Sequence, residues 1–396
     1  MLAFEGLVVL DFAGNYPGAF TTMFLGDFGA EVIRIDRPTA APPASGVDLE
    51  ELAAYTTVAR NKRSIIVDMK SGDGQAVLRK LVAKADILLE GFRPDVMARL
   101  SADYATLSKL NPRLIYCSLS GFGTSGPYVK TPAHDMNYIS LGGVLSLIGE
   151  RGGYPVLPSN FIADIGGAAL HGLVGILTAL HARERTGRGQ HVDIAYLDSV
   201  VSLLALEAPT YFRTGHVPRR GETRLTGADP WTHVYKCADG EYITVACIEP
   251  HFWDNLCRLL GHEEFIKFQR SPYPQEELDA VSAEMADIFI TRSREEWSEF
   301  FTGEDVCFGP VHYLDETFAD PQVLHRGMVA EKEHPRLGTV KQVGLPVKLS
   351  DTPARIESLG VPAGTNTAEI LGELGYSDAE IDRLTESGAV TRWQPA

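Results

Sequence analysis

Two short segments of the sequence carry side chains that could move protons on and off carbon. His134 lies in the run AHDMNY and Asp164 in the run IADIGG, and both runs adjoin turn-forming sequence where a polar side chain can face a ligand. A reaction that removes hydrogen from one face of a carbon and returns it to the other needs two proton carriers of different basicity. Each residue also has a structural interpretation, because an aspartate that opens an apolar run often caps a helix and an isolated histidine is often structural.

Three further runs surround these two residues. They are LGDFGAEVIRIDRP at 25–38, ADILLEGFRP at 85–94 and GRGQHVD at 187–193. Their order and spacing resemble those of the family III CoA transferases over nearly the whole chain, and within that family the chain resembles the α-methylacyl-CoA racemases. His134 separates the two branches, because the transferases resemble this chain at Asp164, which is their nucleophile, but generally lack the HDMNY-like run.

The segment ACIEPHF at 246–252 resembles the racemase segment that supplies a glutamate to the catalytic histidine, whereas many transferases have a Gly-rich loop there. The resemblance therefore implies that His134, assisted by Glu249, is the base on one face of the substrate and that Asp164 is the base on the other. It also implies that backbone N–H groups around Asp135 stabilise the enolate oxygen, with no metal and no cofactor beyond the CoA moiety of the substrate.

Two other functions stay open. A CoA transferase would use Asp164 to attack the acyl-CoA and would form an aspartyl-CoA intermediate. A catalytically silent CoA-binding protein would have the same fold, but the presence of His134, Asp164 and Glu249 together argues against it.

The resemblance also implies a set of CoA contacts, in which basic side chains suit the phosphates and exposed backbone suits the adenine. The set comprises Arg37, Val67, Asp68, Met69, Lys70, Gly91, Phe92, Arg93, Arg99, Ala133, Asp135, Met136, Asn137 and Tyr138. For a single arginine such as Arg99 the alternative is a solvated surface charge. Lys62 and Arg63 precede the third expected strand and could add to the phosphate field.

Composition limits the other possibilities. The chain of 396 residues has a formal net charge of −16, which argues against general nucleic-acid binding because neutralising phosphates requires basic surface. Its five cysteines are scattered, odd in number and without a C-x-x-C pair, so they indicate neither a disulfide framework nor a zinc site and favour a reduced cytoplasm. The N-terminus has no signal-peptide pattern, and the longest apolar stretch, 168–180, is broken by His171 and too short to span a bilayer. We therefore expect a buried helix there and no membrane partner.

The first part of the chain alternates short apolar strands with helices. Strands are expected within 6–11 and at 32–35, 64–67, 87–90 and 114–118, with helices at 20–28 and 74–84. This alternation predicts a parallel sheet covered on both faces, which is a doubly wound, Rossmann-like α/β domain. The G-x-G-x-x-G run at 121–126 follows a strand, but Pro127 and Pro132 favour an extended loop rather than a dinucleotide site.

The later sequence divides into further parts. Asp164 precedes an apolar helix that we expect at 166–185, ending at Gly187, so its carboxylate would lie at a helix N-terminus. We expect a large domain from 1–200 and 325–396, a linker at 201–229, and a small α+β domain at 230–324 with an Asp-Gly hairpin and three helices. The last helix is expected at 366–374. The resemblance further implies an interlocked homodimer in which the small domain of one subunit completes the site of the other.

The expected acyl-binding region departs from the family. The racemases for long branched chains resemble one another in a Met-rich acyl surface, but the matching run LLALEAPTYF at 203–212 contains no methionine. Methionine is the adaptable side chain for varied apolar ligands. We therefore expect a narrower or more polar acyl group.

Overall fold

A computed structural model describes residues 1–38 and 46–394, so residues 39–45 and 395–396 of the predicted large domain lie outside the described residues. The strands are β1 Val8–Phe12, β2 Glu31–Asp36, β3 Lys62–Val67, β4 Ile87–Glu90, β5 Ile115–Ser120, β6 His191–Ala195, β7 Thr232–Lys236, β8 Tyr242–Ala246, β9 Phe308–Pro310, β10 Val329–His334, β11 Gly338–Val343 and β12 Val390–Thr391. The α-helices are α1 Tyr16–Asp27, α2 Leu49–Tyr55, α3 Gly72–Lys84, α4 Val96–Arg99, α5 Tyr104–Leu110, α6 Asp135–Leu141, α7 Leu170–Thr186, α8 Tyr196–Ser202, α9 Ala208–Thr214, α10 Pro250–Leu260, α11 Gln275–Phe289, α12 Arg294–Phe300, α13 Leu314–Ala319, α14 Pro321–His325, α15 Thr367–Glu373 and α16 Asp378–Glu386. A π-helical segment, Phe161–Ala169, runs directly into α7, and 3₁₀ turns occupy Thr57–Ala59, Val144–Leu147, Leu203–Ala205, Arg224–Thr226 and Glu263–Gln269.

The first compact unit comprises the described residues of Met1–Gly142, Pro158–Leu203 and Pro321–Ala396. A seven-stranded sheet with the order β12-β3-β2-β1-β4-β5-β6 forms its centre. Strands β1 to β6 pair in parallel, and β12 adds to β3 in the antiparallel direction. Every residue of β4 and β5 is buried, as expected for parallel strands covered on both faces. The strand order reverses between β1 and β4, where doubly wound proteins bind ligands at the carboxyl ends of the strands. The predicted doubly wound fold is confirmed.

Local capping explains two differences from the predicted elements. Helix α1 begins earlier than predicted because the Asn15 side chain accepts a hydrogen bond from the Gly18 N–H at 3.3 Å and Pro17 fits the first turn. The prediction that the chain's last helix lies at 366–374 was wrong, because α16 and β12 follow it. Ser377 and Glu380 form a capping box at the start of α16.

The second compact unit comprises Gly143–Leu157 and Leu204–Asp320. Strands β7, β8 and β9 form an antiparallel sheet, and the predicted hairpin turns at Gly240, whose φ of +88° suits a residue without a side chain. The sequence assigned 143–157 to the large domain and 201–229 to a linker, whereas contacts group 143–157 and the residues from Leu204 onward with this unit. One reason is Arg151, whose Nη1 atom bonds Asp279 at 2.8 Å.

The helix that carries Asp164 is longer than the sequence predicted. It runs from Phe161 to Thr186, spans 26 residues and has a mean hydropathy of 1.6 in its most apolar window, a third of which is buried. By length and composition this helix could cross a membrane. The prediction that the apolar stretch at 168–180 is buried and too short to span a bilayer was therefore wrong. Core helices of soluble proteins have the same properties, and here Thr21 of α1 donates a hydrogen bond to the Ala169 carbonyl at 3.0 Å. The absence of a membrane partner stays a prediction.

Candidate active site

A cleft of about 450 Å³ opens at the carboxyl ends of the central strands of the first unit. The segments that follow β1, β4, β5 and β6 form its walls, as the topology of the sheet dictates. The predicted site residues in its lining are Gly91, Phe92, Arg93, Ala133, His134, Tyr138 and Asp164. The G-x-G-x-x-G run contributes Gly121, Phe122 and Gly123 and, as predicted, opens no helix, since the next helix begins at Asp135.

His134 immediately precedes α6, in extended conformation. The Asn137 side chain accepts a hydrogen bond from the His134 backbone N–H at 3.0 Å, which fixes the direction in which the chain enters the helix. The residue is exposed within the chain. The backbone of His134 is therefore fixed, and its exposed imidazole is accessible to a ligand in the cleft.

Asp164 lies in the first turn of the π-helical segment rather than before a helix, which corrects the predicted helix start at 166. The helix begins earlier because the N–H groups of Ala163 and Asp164 find an acceptor outside it, the Asp135 carboxylate. Wide turns then carry the chain into α7, where the Leu170 N–H bonds the Ile165 carbonyl five residues back. Such turns are frequent at functional sites.

The environment of Asp164 favours its protonated form. Burial raises the pKa of the half-buried carboxyl above its usual value, and the like charge of Asp135 raises it further. The Asn160 amide, 3.5 Å away, and the nearby imidazole of His134 act in the opposite direction but do not cancel the rise. A carboxyl with a raised pKa can both accept and donate a proton closer to neutral pH than an ordinary aspartate.

The sequence analysis missed three polar residues, of which Asn15 and Tyr196 line the cleft and Glu90 directly precedes its lining loop. Asn15 donates a hydrogen bond to the Tyr196 hydroxyl at 2.9 Å, and the Tyr196 ring packs edge-on against Tyr138. Both tyrosines are almost fully buried, and burial raises the pKa of Tyr138 to about 12. The third is Glu90 at the end of β4, whose carboxylate accepts the Phe92 N–H at 2.9 Å and whose pKa is raised by burial.

Close packing explains why residue 91, directly after β4, is a glycine. A Cβ atom at Gly91 would approach the Asn15 side-chain nitrogen to 2.7 Å, so only glycine lets the loop after β4 pass the loop after β1. The start of α1 at Asn15 carries a readable capping signal. Nothing in the sequence marks Tyr196, because its partner lies 181 residues away.

The other predicted CoA contacts follow neighbouring strands. Arg37 follows β2, Val67 ends β3 and is buried, and the segment Asp68, Met69 and Lys70 comes next. These strands are parallel neighbours, so the residues lie along the same edge of the sheet as the cleft. They do not line the cleft itself, and neither do Arg99, Met136, Asn137 and the buried side chain of Asp135.

Two basic residues that the sequence suggested for phosphate binding are paired with carboxylates of the chain. Lys62 and Arg63 lie within β3 rather than before it, and the Lys62 ammonium is buried 2.9 Å from the Asp11 carboxylate. Arg63 pairs with Glu31 at 2.6 Å and with Glu373 at 2.9 Å. These carboxylates of the chain neutralise both charges, which argues against the suggested contribution of Lys62 and Arg63 to phosphate binding.

Glu249 belongs to the second unit. It precedes α10 and is exposed, with Pro250 filling the first helical position. The five cysteines are free thiols. Within the described residues, no cluster of three or more histidine, cysteine or carboxylate side chains could hold a metal ion.

The fold and the cleft have clear relatives among known proteins. Residues 4–367 match the sequence profile of CoA-transferase family III. The chain is 36% identical to the human α-methylacyl-CoA racemase over 98% of its own length and 99% of that protein. It is 31% identical to the formyl-CoA:oxalate CoA-transferase of Rhodopseudomonas palustris over 98% of its own length and 97% of that protein.

The chain belongs to CoA-transferase family III. The crystal structure of a CAIB/BAIF family protein from Brucella suis superimposes with a TM-score of 0.80 at 30% identity, covering 94% of this chain and 99% of that one. Both racemases and CoA transferases are therefore similar to this family III chain over nearly its full length. The predicted family resemblance is confirmed, and acyl-CoA thioesters are the substrate class consistent with it.

Proposed function

We propose that this protein is a racemase or epimerase that inverts the α-carbon of 2-methylacyl-CoA thioesters. One base removes the α-proton, and the C–H electron pair passes into the thioester carbonyl to give an enolate. The conjugate acid of the other base then delivers a proton to the opposite face. Each turnover leaves one base protonated and the other deprotonated, in the reverse of their starting states.

The observation that carries this proposal is that His134 and Asp164 line the same cleft. A family III transferase needs Asp164 alone, whereas a racemase needs a second proton carrier facing it. The similarity of the chain to the human racemase supports the same choice.

The raised pKa of Asp164 suits a reaction that runs in both directions. One direction begins with Asp164 ionised and His134 protonated, and the other begins with Asp164 protonated and His134 neutral. These two states carry the same number of protons, so their relative population depends on the difference between the two pKa values. Burial and the charge of Asp135 raise the Asp164 pKa and so favour the state in which it is protonated.

The remaining machinery is proposed by the same resemblance. The backbone N–H of Asp135, in the first turn of α6, would donate to the enolate oxygen as its charge develops. Glu249 would hold the imidazole of His134 and stabilise its protonated form. Arg37, Arg93, Arg99 and Lys70 would bind the CoA phosphates. The enzyme would act in the cytoplasm as an interlocked homodimer and use no cofactor beyond the CoA of its substrate.

The second candidate is a CoA transferase. In that reaction the Asp164 carboxylate attacks the thioester carbonyl and expels CoA thiolate to give a mixed anhydride. The thiolate then returns to form an aspartyl-CoA thioester and releases the acid. The 31% identity with a formyl-CoA:oxalate CoA-transferase supports this alternative.

Two variants separate the candidates. Asp164→Asn and His134→Ala should each lower stereoinversion of a 2-methylacyl-CoA by about 10²- to 10⁴-fold, because the cycle needs both general bases. A transferase would lose activity in Asp164→Asn and keep it in His134→Ala. Chiral chromatography of the thioester, run beside an assay of CoA transfer to a free acid, measures both activities. Unchanged inversion in His134→Ala would contradict the proposal.

A further inference from the structure

The side chain of Asp135 connects the two segments that carry the proposed bases. Asp135 is the first residue of α6 and directly follows His134. Its Oδ2 atom accepts hydrogen bonds from the N–H groups of Ala163 and Asp164, both at 2.9 Å. The residue is 7% exposed, so water does not compete for these bonds. A charged acceptor that binds two consecutive backbone amides fixes both the distance and the direction of the segment that carries them.

We infer that Asp135 is a positioning residue for proton transfer, whose carboxylate sets the separation of the His134 imidazole and the Asp164 carboxylate across the cleft. The inference rests on the proposed racemase function. Within the described residues, these two bonds are the hydrogen bonds that join α6 to the π-helical segment. Any change in them moves one base relative to the other, while the CoA contacts after β2, β3 and β4 stay in place.

The charge of Asp135 has a second effect on the same pair. Its Oδ1 atom is buried without a hydrogen-bond partner in the part of the chain that the structure describes. The negative charge is therefore only partly compensated, and it raises the pKa of Asp164 in addition to the effect of burial. The two effects of Asp135 can be separated experimentally. An asparagine at this position keeps one oxygen that can accept the two hydrogen bonds, but it carries no charge.

The test compares Asp135→Asn with Asp135→Ala in the full-length protein. The groups that face Asp164 are Asp135 and Tyr138 from α6, His134 directly before α6, Tyr196 from α8, and Asn160 directly before its own segment. In Asp135→Asn the geometry should persist, and removing a like charge should lower the Asp164 pKa. The acid limb of the pH profile for inversion should then move to lower pH.

In Asp135→Ala two backbone amides lose their acceptor and the bases shift. A displacement of about 1 Å can cost about 10²-fold, so kcat should fall by about that factor. KM should change by less than about threefold, because the lost interaction acts on the transition state rather than on substrate binding.

Asp239 in the second unit provides a matched control. Its carboxylate also accepts two backbone N–H groups, from Glu241 at 3.1 Å and Arg294 at 3.0 Å, and it does not line the cleft. Asp239→Asn and Asp239→Ala should leave kcat and the pH profile of inversion unchanged. A merely structural role for Asp135 would lower the amount of folded protein without lowering kcat per folded molecule or moving the acid limb.

Failure of the inference about Asp135 can be distinguished from failure of the proposed racemase function. Wild-type protein that does not invert its substrate would defeat the racemase proposal before any variant is made. Active wild-type protein whose two Asp135 variants match it in kcat and pH profile would overturn the positioning role alone. If Asp135→Ala does not fold, Asp135→Glu replaces it, because the longer side chain keeps the charge and displaces the acceptor oxygen. A lower kcat in Asp135→Glu supports the inference, and an unchanged kcat overturns it.

Discussion

The two proposed bases have different surroundings. Asp164 is half-buried on a wide helical turn, and Asp135 and Asn160 from the same compact unit set the charge of its carboxyl. His134 is exposed before a short helix, and within the described residues no carboxylate hydrogen-bonds its imidazole. Under the proposed function, Glu249 is the carboxylate that would hold the imidazole of His134.

The experiment with the largest expected effect is complementation between two inactive variants, one at His134 and one at Glu249. His134→Ala and Glu249→Ala proteins should each be inactive. Mixing them as folded proteins should restore nothing, because subunits interlocked as proposed would exchange only through unfolding. Denaturing and refolding them together should restore about one quarter of wild-type activity, because random pairing makes half the dimers mixed and each mixed dimer has one intact site.

The control for complementation is the refolding of each variant alone, which should stay inactive. Light scattering at nanomolar concentration should show a dimer without monomer. An active monomer, or mixed dimers without activity, would show that Glu249 does not complete the His134 of another subunit.

A variant with a smaller expected effect, Asn160→Ala, tests the surroundings of Asp164. The amide of Asn160 stabilises the ionised carboxylate of Asp164, so removing it in Asn160→Ala should raise the Asp164 pKa further. The acid limb of the inversion profile should move to higher pH, which is opposite to the shift expected for Asp135→Asn. Inversion below that limb should fall by a few-fold, on the order of one weak hydrogen bond.

Gln275→Ala is the matched control for Asn160→Ala. The Gln275 amide also donates to an aspartate four residues later, Asp279, at 3.0 Å, but on α11 of the second unit. Its removal should leave the pH profile unchanged. Shifts in the same direction for Asn160→Ala and Asp135→Asn would contradict the electrostatic account of Asp164.

The parallel sheet could be predicted from the sequence because its strands are short apolar runs separated by helices, a pattern that is local. The capping box at Ser377 was equally local, and α16 could have been predicted from it. The early start of the Asp164 helix could not, because its first N–H groups bond Asp135, 28 and 29 residues earlier in the chain.

The candidate site shows the same limit. His134, Asp164 and the loop at Gly91 could be found because family motifs mark them, and they line one cleft. The burial of Lys62 against Asp11 depends on a contact 51 residues apart, and the Asn15–Tyr196 bond spans 181. Pairings at such separations are fixed by the fold rather than by neighbouring sequence.

The most direct test of the central claim is solvent isotope exchange at the α-carbon. A single enantiomer of a 2-methylacyl-CoA is incubated with wild-type protein in deuterium oxide, with and without an added free carboxylic acid. The two-base account predicts that deuterium enters the α-position while the opposite enantiomer appears, at the same rate in both samples. Exchange that requires the added acid, or CoA transfer to that acid with the α-hydrogen retained, would contradict it and establish the transferase reaction.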